Sequence, residues 1–223
     1  MTLLPSIGLK KLPENDVLLV EEDLGSVKST FVQIIGHNAT KESKDVMYIS
    51  TKRSKEDIFE QMSSIGLDGY SEKFNVLGDF NDQNALLYVL RKYNNQSVSQ
   101  ILHPHMQGML DVDICIIDTF SSLFIEADVH TMVDTINSFI DAVRSNGTTF
   151  LLLSDMGIMH NRVENVMRSM VDGIIQFRTE YSGNKVNRYI NIPKMRGVPP
   201  FNKMIPFNVT PTGITIDTRE RIG

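Results

Sequence analysis

The segment Lys28-Ser29-Thr30 has the residue types and the order that bind phosphate groups at the start of a helix. It follows a run of apolar residues at 17–20, typical of a buried strand, and a short loop that contains Gly25 and Ser26. In a phosphate-binding loop, backbone N–H groups at the helix start surround the phosphates and the lysine reaches the outer ones. The spacing therefore predicts a nucleotide site built on residues 25, 26 and 28–30.

The loop departs from the pattern GxxxxGK[ST], which has glycine at both ends. Those positions hold Glu22 and Val27. A β-branched valine stands where the backbone must approach a phosphate closely, and where a conformation open only to glycine could be needed. The acids at 21–23 would repel a polyanion by about 1 kcal/mol per contact in water, and more if buried. These replacements predict weak or lost phosphate binding.

Asp118 is the candidate for the second half of the site. The apolar run at 114–117 leads directly into it, so it is expected at the carboxyl end of a buried strand, where ligands of open α/β sheets bind. There a carboxylate can hold Mg²⁺ or its water shell. The alternative is that Asp118 only caps the short helix that follows.

Strand and helix patterns alternate along most of the chain, which predicts an α/β fold with a mostly parallel sheet and right-handed crossovers. The predicted strands are 17–20, 46–50, 74–77, 112–118 and 149–154, and the predicted helices begin near 28, 54, 84, 98, 132 and 160. Short strands at 173–179, 186–193, 205–209 and 214–217 predict antiparallel hairpins at one edge. We expect a single domain over 1–223, with an irregular lead-in at 1–15 and the C-terminal strands within 173–217.

The composition is that of an ordinary globular protein, with 41% hydrophobic residues, 22% charged residues and a net charge of −5 over 223 residues. No basic excess points to nucleic acid, so no nucleic-acid partner is expected. The single cysteine, Cys115, suits a reducing compartment. We found no apolar run long enough to span a membrane and no signal-peptide pattern, which favours a cytoplasmic location.

Four stretches in this order resemble the KaiC-like branch of the RecA superfamily, which is common in archaea. They are EEDLGSVKST, IIDTFSSL, LLLSDMG, and KMRG followed by PFNVTPTGITI. The resemblance covers nearly the whole chain from about residue 16. It implies a RecA-like P-loop core, ATP binding at the loop, and assembly into rings that hold ATP between subunits.

The resemblance also implies a role for each matching residue. Lys28 would contact the β- and γ-phosphates, and Ser29 would bind Mg²⁺ with Asp118 as the acidic partner. Ser154 would sense phosphate from the end of its strand. Lys194 and Arg196 would reach the nucleotide of a neighbouring subunit.

The chain departs from the family after the second strand, where members carry acids that activate the attacking water. Lys52 and Arg53 stand at about those places, and a cation cannot be a general base. The two residues would instead neutralise a phosphate or pair with the acids at 21–23. The glycine-rich segment that members carry before the first strand is also missing.

We therefore expect a KaiC-like regulatory or assembly protein, a pseudo-ATPase whose binding of ATP and Mg²⁺ is weak or lost. One alternative is an active RecA-type ATPase. The other is a nucleotide-free structural partner of a KaiC-like ATPase. The expected partners are further copies of the chain or paralogous KaiC-like subunits, and a regulatory protein of unknown identity.

Several other side chains have chemistry that could bind a ligand. His103, His105 and His160 do not form a metal-ligand set, so surface or capping roles are favoured. Asp155 would either aid a Mg²⁺ site or cap a helix. The methionines at 156, 159, 167 and 170 are expected to fill the core, with a partner-binding face as the alternative.

Overall fold

A computed structural model describes residues 3–23, 25, 27–68, 71–79, 112–125, 128–199 and 201–217. The helices predicted at 84–93 and 98–109 lie outside these ranges, as do Ser26, His103 and His105. The described helices are α1 (Leu3–Ser6), α2 (Val27–Lys41), α3 (Lys55–Ser64), a 3-10 helix (Phe120–Phe124), α4 (Val129–Asn146) and α5 (Asn161–Met170). The strands are β1 (Val17–Glu22), β2 (Val46–Ser50), β3 (Phe74–Leu77), β4 (Ile114–Asp118), β5 (Thr149–Asp155), β6 (Gly173–Ser182), β7 (Lys185–Met195), β8 (Ile205–Thr210) and β9 (Gly213–Ile216).

The described strands form one sheet in the order β3-β2-β4-β5-β1-β6-β7-β8-β9. The neighbouring strands β3-β2-β4-β5-β1-β6 pair in parallel, and the neighbouring strands β6-β7-β8-β9 pair antiparallel. The predicted α/β fold, a mostly parallel sheet with C-terminal antiparallel strands and flanking helices, is therefore confirmed. The carboxyl ends of β4, β5 and β1 lie side by side in this order, which places Lys28, Asp118 and Ser154 at one edge of the sheet.

The central strand β1 is buried on both faces, and its side chains alternate between two hydrophobic clusters. Leu18 and Val20 pack with α2 and α3, whereas Val17 and Leu19 pack with α4 and α5. The same alternation continues into the two acids that end the strand. Glu21 therefore faces α5, and Glu22 faces the start of α2.

Local sequence signals agree with the element boundaries. Ser54 caps α3 in a full capping box, because its hydroxyl accepts from the Asp57 N–H at 3.0 Å and the Asp57 carboxylate accepts from the Ser54 N–H at 3.3 Å. Gly147 and Gly183 have positive φ in the predicted turns after α4 and between β6 and β7. These turns need glycine because other residues rarely adopt that conformation.

The lead-in before β1 differs from the expectation of an irregular segment. It contains the short helix α1, and Leu3, Ile7, Leu9 and Leu12 are buried in the cluster that includes α2. The apolar side chains that precede Pro13 thus contribute to the core. In the described part of the chain, no helix is both long enough and apolar enough to cross a membrane.

Candidate functional site

Lys28 lies in the first turn of α2, directly beside the carboxyl ends of β1 and β5. Its side chain is buried, with 5% exposed, and its ammonium forms an ion pair with Asp155. The same ammonium lies 3.5 Å from the Gly25 carbonyl oxygen and 3.7 Å from Glu22 Oε2. The lysine that the motif assigns to phosphate is therefore bound within the chain itself.

Glu22 is the last residue of β1, and its carboxylate lies at the N-terminus of α2. Its Oε1 accepts from the Val27 N–H at 3.2 Å, and its Oε2 accepts from the Lys28 N–H at 3.1 Å. Only 2% of Glu22 is exposed. A carboxylate in this position is stabilised by the unpaired N–H groups of the first helical turn and by the helix dipole.

Asp118 ends β4, as predicted, and lies beside α2. The Ser29 hydroxyl donates to its carboxylate at 3.3 and 3.4 Å, and the Tyr48 hydroxyl donates at 2.5 Å. Arg53 also forms an ion pair with the Asp118 carboxylate. Burial, together with the nearby Asp118 charge, raises the pKa of Tyr48 well above its ordinary value, so the phenol stays a proton donor.

The capping alternative for Asp118 finds no support in these contacts. The 3-10 helix begins after Thr119, and no side chain caps it by a hydrogen bond. Thr119 has a φ of 66°, which is rare for a β-branched residue, and its hydroxyl donates to Asp118 Oδ1 at 3.4 Å. The backbone is therefore held in an uncommon conformation at the residue that follows the site carboxylate.

The prediction that Lys52 and Arg53 pair with the acids at 21–23 is wrong, because these acids pair with other cations. Arg53 binds Asp118, Tyr48 and Gln61 instead. Each acid has a different cation: Glu21 pairs with Arg168, Glu22 with Lys28, and Asp23 with Arg178. The site is closed by ion pairs, as that hypothesis required, but cations from α2, α5 and β6 supply the pairs for these acids.

Glu21 belongs to a second polar network on the other face of the sheet. Arg168 Nε donates to its two oxygens at 2.9 and 3.1 Å, and the Gln176 amide donates at 2.9 Å. Arg168 also binds Glu164, whose other oxygen accepts from the Gly157 N–H at 2.7 Å. This network fixes α5 and the turn after β5 to the central strands.

Ser154 and Asp155 end β5 on opposite faces. Ser154 is paired in register with Glu21, away from α2, and its buried hydroxyl has no hydrogen-bond partner among the described residues. Asp155 is paired with Glu22 and contacts Lys28. The residue that meets the phosphate-loop lysine is therefore Asp155, and the phosphate-sensing role of Ser154 stays a prediction. Asp155 uses its carboxylate for Lys28 rather than to cap a helix.

Lys194 and Arg196 also have partners within the chain. Lys194 donates to the Ser169 carbonyl oxygen at 2.8 Å, at the end of α5. Arg196 pairs with the buried Asp16 and donates to the Glu14 carbonyl oxygen at 3.2 Å, at the amino end of β1. This is the edge of the sheet opposite Lys28, so any contact of Arg196 with a phosphate loop would involve another subunit.

No group of three or more histidine, cysteine or acidic side chains in the described ranges could hold a metal ion. His160 precedes α5 without capping it by its side chain. Of the four methionines considered, Met159 and Met167 are buried in the core, which confirms that role for them.

The site residues in this arrangement do not fit a magnesium nucleotide. A phosphate would need the Val27 and Lys28 N–H groups and the Lys28 ammonium, which Glu22 and Asp155 already use. A magnesium ion at Ser29 and Asp118 would lie beside the Arg53 guanidinium, and like charges repel. Entry of either ligand requires these ion pairs to open.

Comparison with known families and structures identifies the fold. A family model described as "ATPase: KaiC" matches residues 6–221. The chain belongs to the KaiC ATPase family. Membership connects this KaiC-family chain with nucleotide and magnesium binding in general, and it confirms the resemblance to the KaiC-like branch of the RecA superfamily.

Two solved structures share the fold of this KaiC-family chain. The flagellar accessory protein FlaH from Methanocaldococcus jannaschii is 18% identical, with a TM-score of 0.76 over 96% of this chain and 94% of that one. A KaiC-like protein from Pyrococcus horikoshii OT3 is 18% identical, with a TM-score of 0.68 over 92% and 91%. At these identities the likeness concerns the fold alone. A comparison with curated proteins gave no match.

The motif spacing predicted that Lys28, Ser29 and Asp118 lie together, but it did not indicate the residues that bind them. The only available signal was the alternation along β1 and β5, which places Glu22 and Asp155 on the face of α2. Tyr48 gave no signal, because an aromatic residue inside a predicted strand is typical of core packing.

Proposed function

We propose that this KaiC-family protein is a regulatory or assembly subunit with a degenerate nucleotide site. It binds ATP and magnesium weakly or not at all, and it hydrolyses little ATP. The observation that carries the proposal is that Lys28 and Asp118 are both ion-paired within the chain, to Asp155 and Arg53 respectively. These are the two charges that a P-loop uses for phosphate and magnesium.

The chemistry of hydrolysis supports the same proposal. A general base must accept a proton from the attacking water. Arg53 stands at about the place where the family resemblance puts the acid, and it has no acceptor atom. The acids nearest to Lys28 are Glu22 and Asp155, and both are bound to cations or backbone N–H groups.

An assembly role has one supporting feature. The β6–β7 ribbon continues past Phe177, the last residue of β6 that pairs with β1. Its tip carries Tyr181 and Val186, which are paired across the strands and are 76% and 45% exposed. An exposed aromatic and aliphatic pair on a projecting ribbon is typical of a protein contact, and we propose copies of this chain or paralogous KaiC-like subunits as the partner.

The test is ATP turnover, nucleotide affinity and oligomeric state of the purified protein. We expect no phosphate release above background, calorimetric Mg-ATP binding that is weak or absent, and an oligomeric state that is independent of ATP. Lys28→Ala should leave phosphate release at background and the oligomeric state unchanged, and so should the matched control Lys41→Ala at the exposed end of α2. Steady phosphate release that Lys28→Ala abolishes and Lys41→Ala retains would show an active ATPase and overturn the proposal.

The alternative function, a nucleotide-free structural partner of a KaiC-like ATPase, predicts a different outcome. This alternative would be supported if the protein neither binds nor hydrolyses ATP and associates with a paralogous KaiC-like ATPase. Light scattering of the protein alone and mixed with the paralogue would distinguish this outcome from self-assembly.

A further inference from the structure

Glu22 makes the contacts that a phosphate would make in an ordinary loop. Its two oxygens accept from the consecutive N–H groups of Val27 and Lys28, and Oε2 lies 3.7 Å from the Lys28 ammonium. All three donors belong to the first turn of α2. An anion at such a place satisfies N–H groups that have no partner within the helix.

The sequence around Glu22 explains how its carboxylate reaches this place. Strand alternation directs Glu22 to the face of β1 that α2 covers. The chain then returns through Gly25 to the start of the helix, and Gly25 has a φ of 142°. A Cβ atom at Gly25 would lie 2.5 Å from Glu22 Oε1. Glycine at this position therefore fits the loop in two ways, because it adopts the positive φ without strain and leaves space for the Glu22 carboxylate.

We infer that the Glu22 carboxylate is a built-in ligand that takes the place of a phosphate group in this loop. The first turn of α2 then keeps its arrangement without a nucleotide, because the anion that its N–H groups need is part of the chain. Asp155 supports the arrangement from β5 by binding the other side of the Lys28 ammonium. This inference deepens the proposed function, since it names what fills the nucleotide site.

A loop that needs an anion should accept an external one when Glu22 is removed. In Glu22→Ala, the Val27 and Lys28 N–H groups lose their acceptor, and among the described residues Asp155 is the one charged partner that Lys28 retains. We expect the melting temperature in anion-poor buffer to fall by about 5 °C, since hydrogen bonds to a charged group are among the stronger ones. Inorganic pyrophosphate should restore about half of the loss by binding the folded state.

The experiment measures melting temperature against pyrophosphate concentration, with sodium chloride added to keep ionic strength equal. Wild type should show no specific response, because Glu22 fills the loop. Glu60→Ala on the exposed face of α3 removes the same charge and serves as the matched control, with no loss and no response. Glu22→Gln keeps the side-chain shape without the charge and should give a smaller loss with a partial response.

Each outcome decides the inference. A response confined to Glu22→Ala and Glu22→Gln supports it. An equal response in wild type, or no response in either variant, overturns it. If Glu22→Ala does not fold even with pyrophosphate, Glu22→Gln decides in the same way. Absence of a response would leave the proposed function intact, because that function is tested separately by the ATP turnover and the Mg-ATP affinity of wild type.

Discussion

The ion pair between Arg53 and Asp118 should contribute more to stability than any surface pair of this protein. The Asp118 side chain is 5% exposed and that of Arg53 is 29% exposed. Removing one partner of a fully buried pair costs about 3–5 kcal/mol, because the other charge is left buried. Arg53 is partly solvated and the pair is therefore not fully buried, so we expect Arg53→Met to cost roughly 2 kcal/mol.

A double-mutant cycle isolates this contribution from the loss of packing. It compares wild type, Arg53→Met, Asp118→Asn and the double variant by urea unfolding, followed by circular dichroism. We expect a coupling of at least about 1 kcal/mol, because the second substitution costs little once the pair is broken. For a chain of this length, the single loss corresponds to a melting temperature lower by roughly 4–8 °C.

The pair between Arg178 and Asp23 provides the control cycle. Its side chains are 38% and 35% exposed, so its coupling should stay below about 0.5 kcal/mol. Equal couplings in the two cycles would refute the reasoning. They would mean that burial does not distinguish the pair, and that Arg53 does not hold the Asp118 carboxylate in solution.

Two further predictions concern stability. Ser54→Ala should cost about 1 kcal/mol by removing the α3 cap, with Glu60→Ala on the exposed face of the same helix as a comparison in urea unfolding; equal costs would argue against the capping box. Burial, with the nearby Asp172 charge, raises the pKa of Asp16, so the folded state holds this proton more strongly and stability falls as pH rises above about 4. Asp16→Asn should therefore be more stable than wild type in urea at pH 7 and converge with it near pH 3.5, and a less stable variant at pH 7 would contradict this sign.

The fold was largely predictable because its main signals are local. The apolar runs at 17–20, 114–117 and 150–153 are short and typical of buried strands, and the Ser54 capping signal needed four residues. The partners of the site charges were not predictable, since Lys28 meets Asp155 from 127 positions away and Arg53 meets Asp118 from 65. Such contacts depend on strand order and register, which a periodic pattern does not reveal.

Val27 illustrates how one substitution makes another acceptable. A loop that wraps a phosphate needs glycine next to the lysine, because the backbone must come close to a bulky anion. Here Val27 is the first residue of α2, its side chain packs against the core, and its N–H donates to Glu22. The valine that argues against phosphate is therefore compatible with glutamate as the anion, and the two departures from the P-loop pattern form one arrangement.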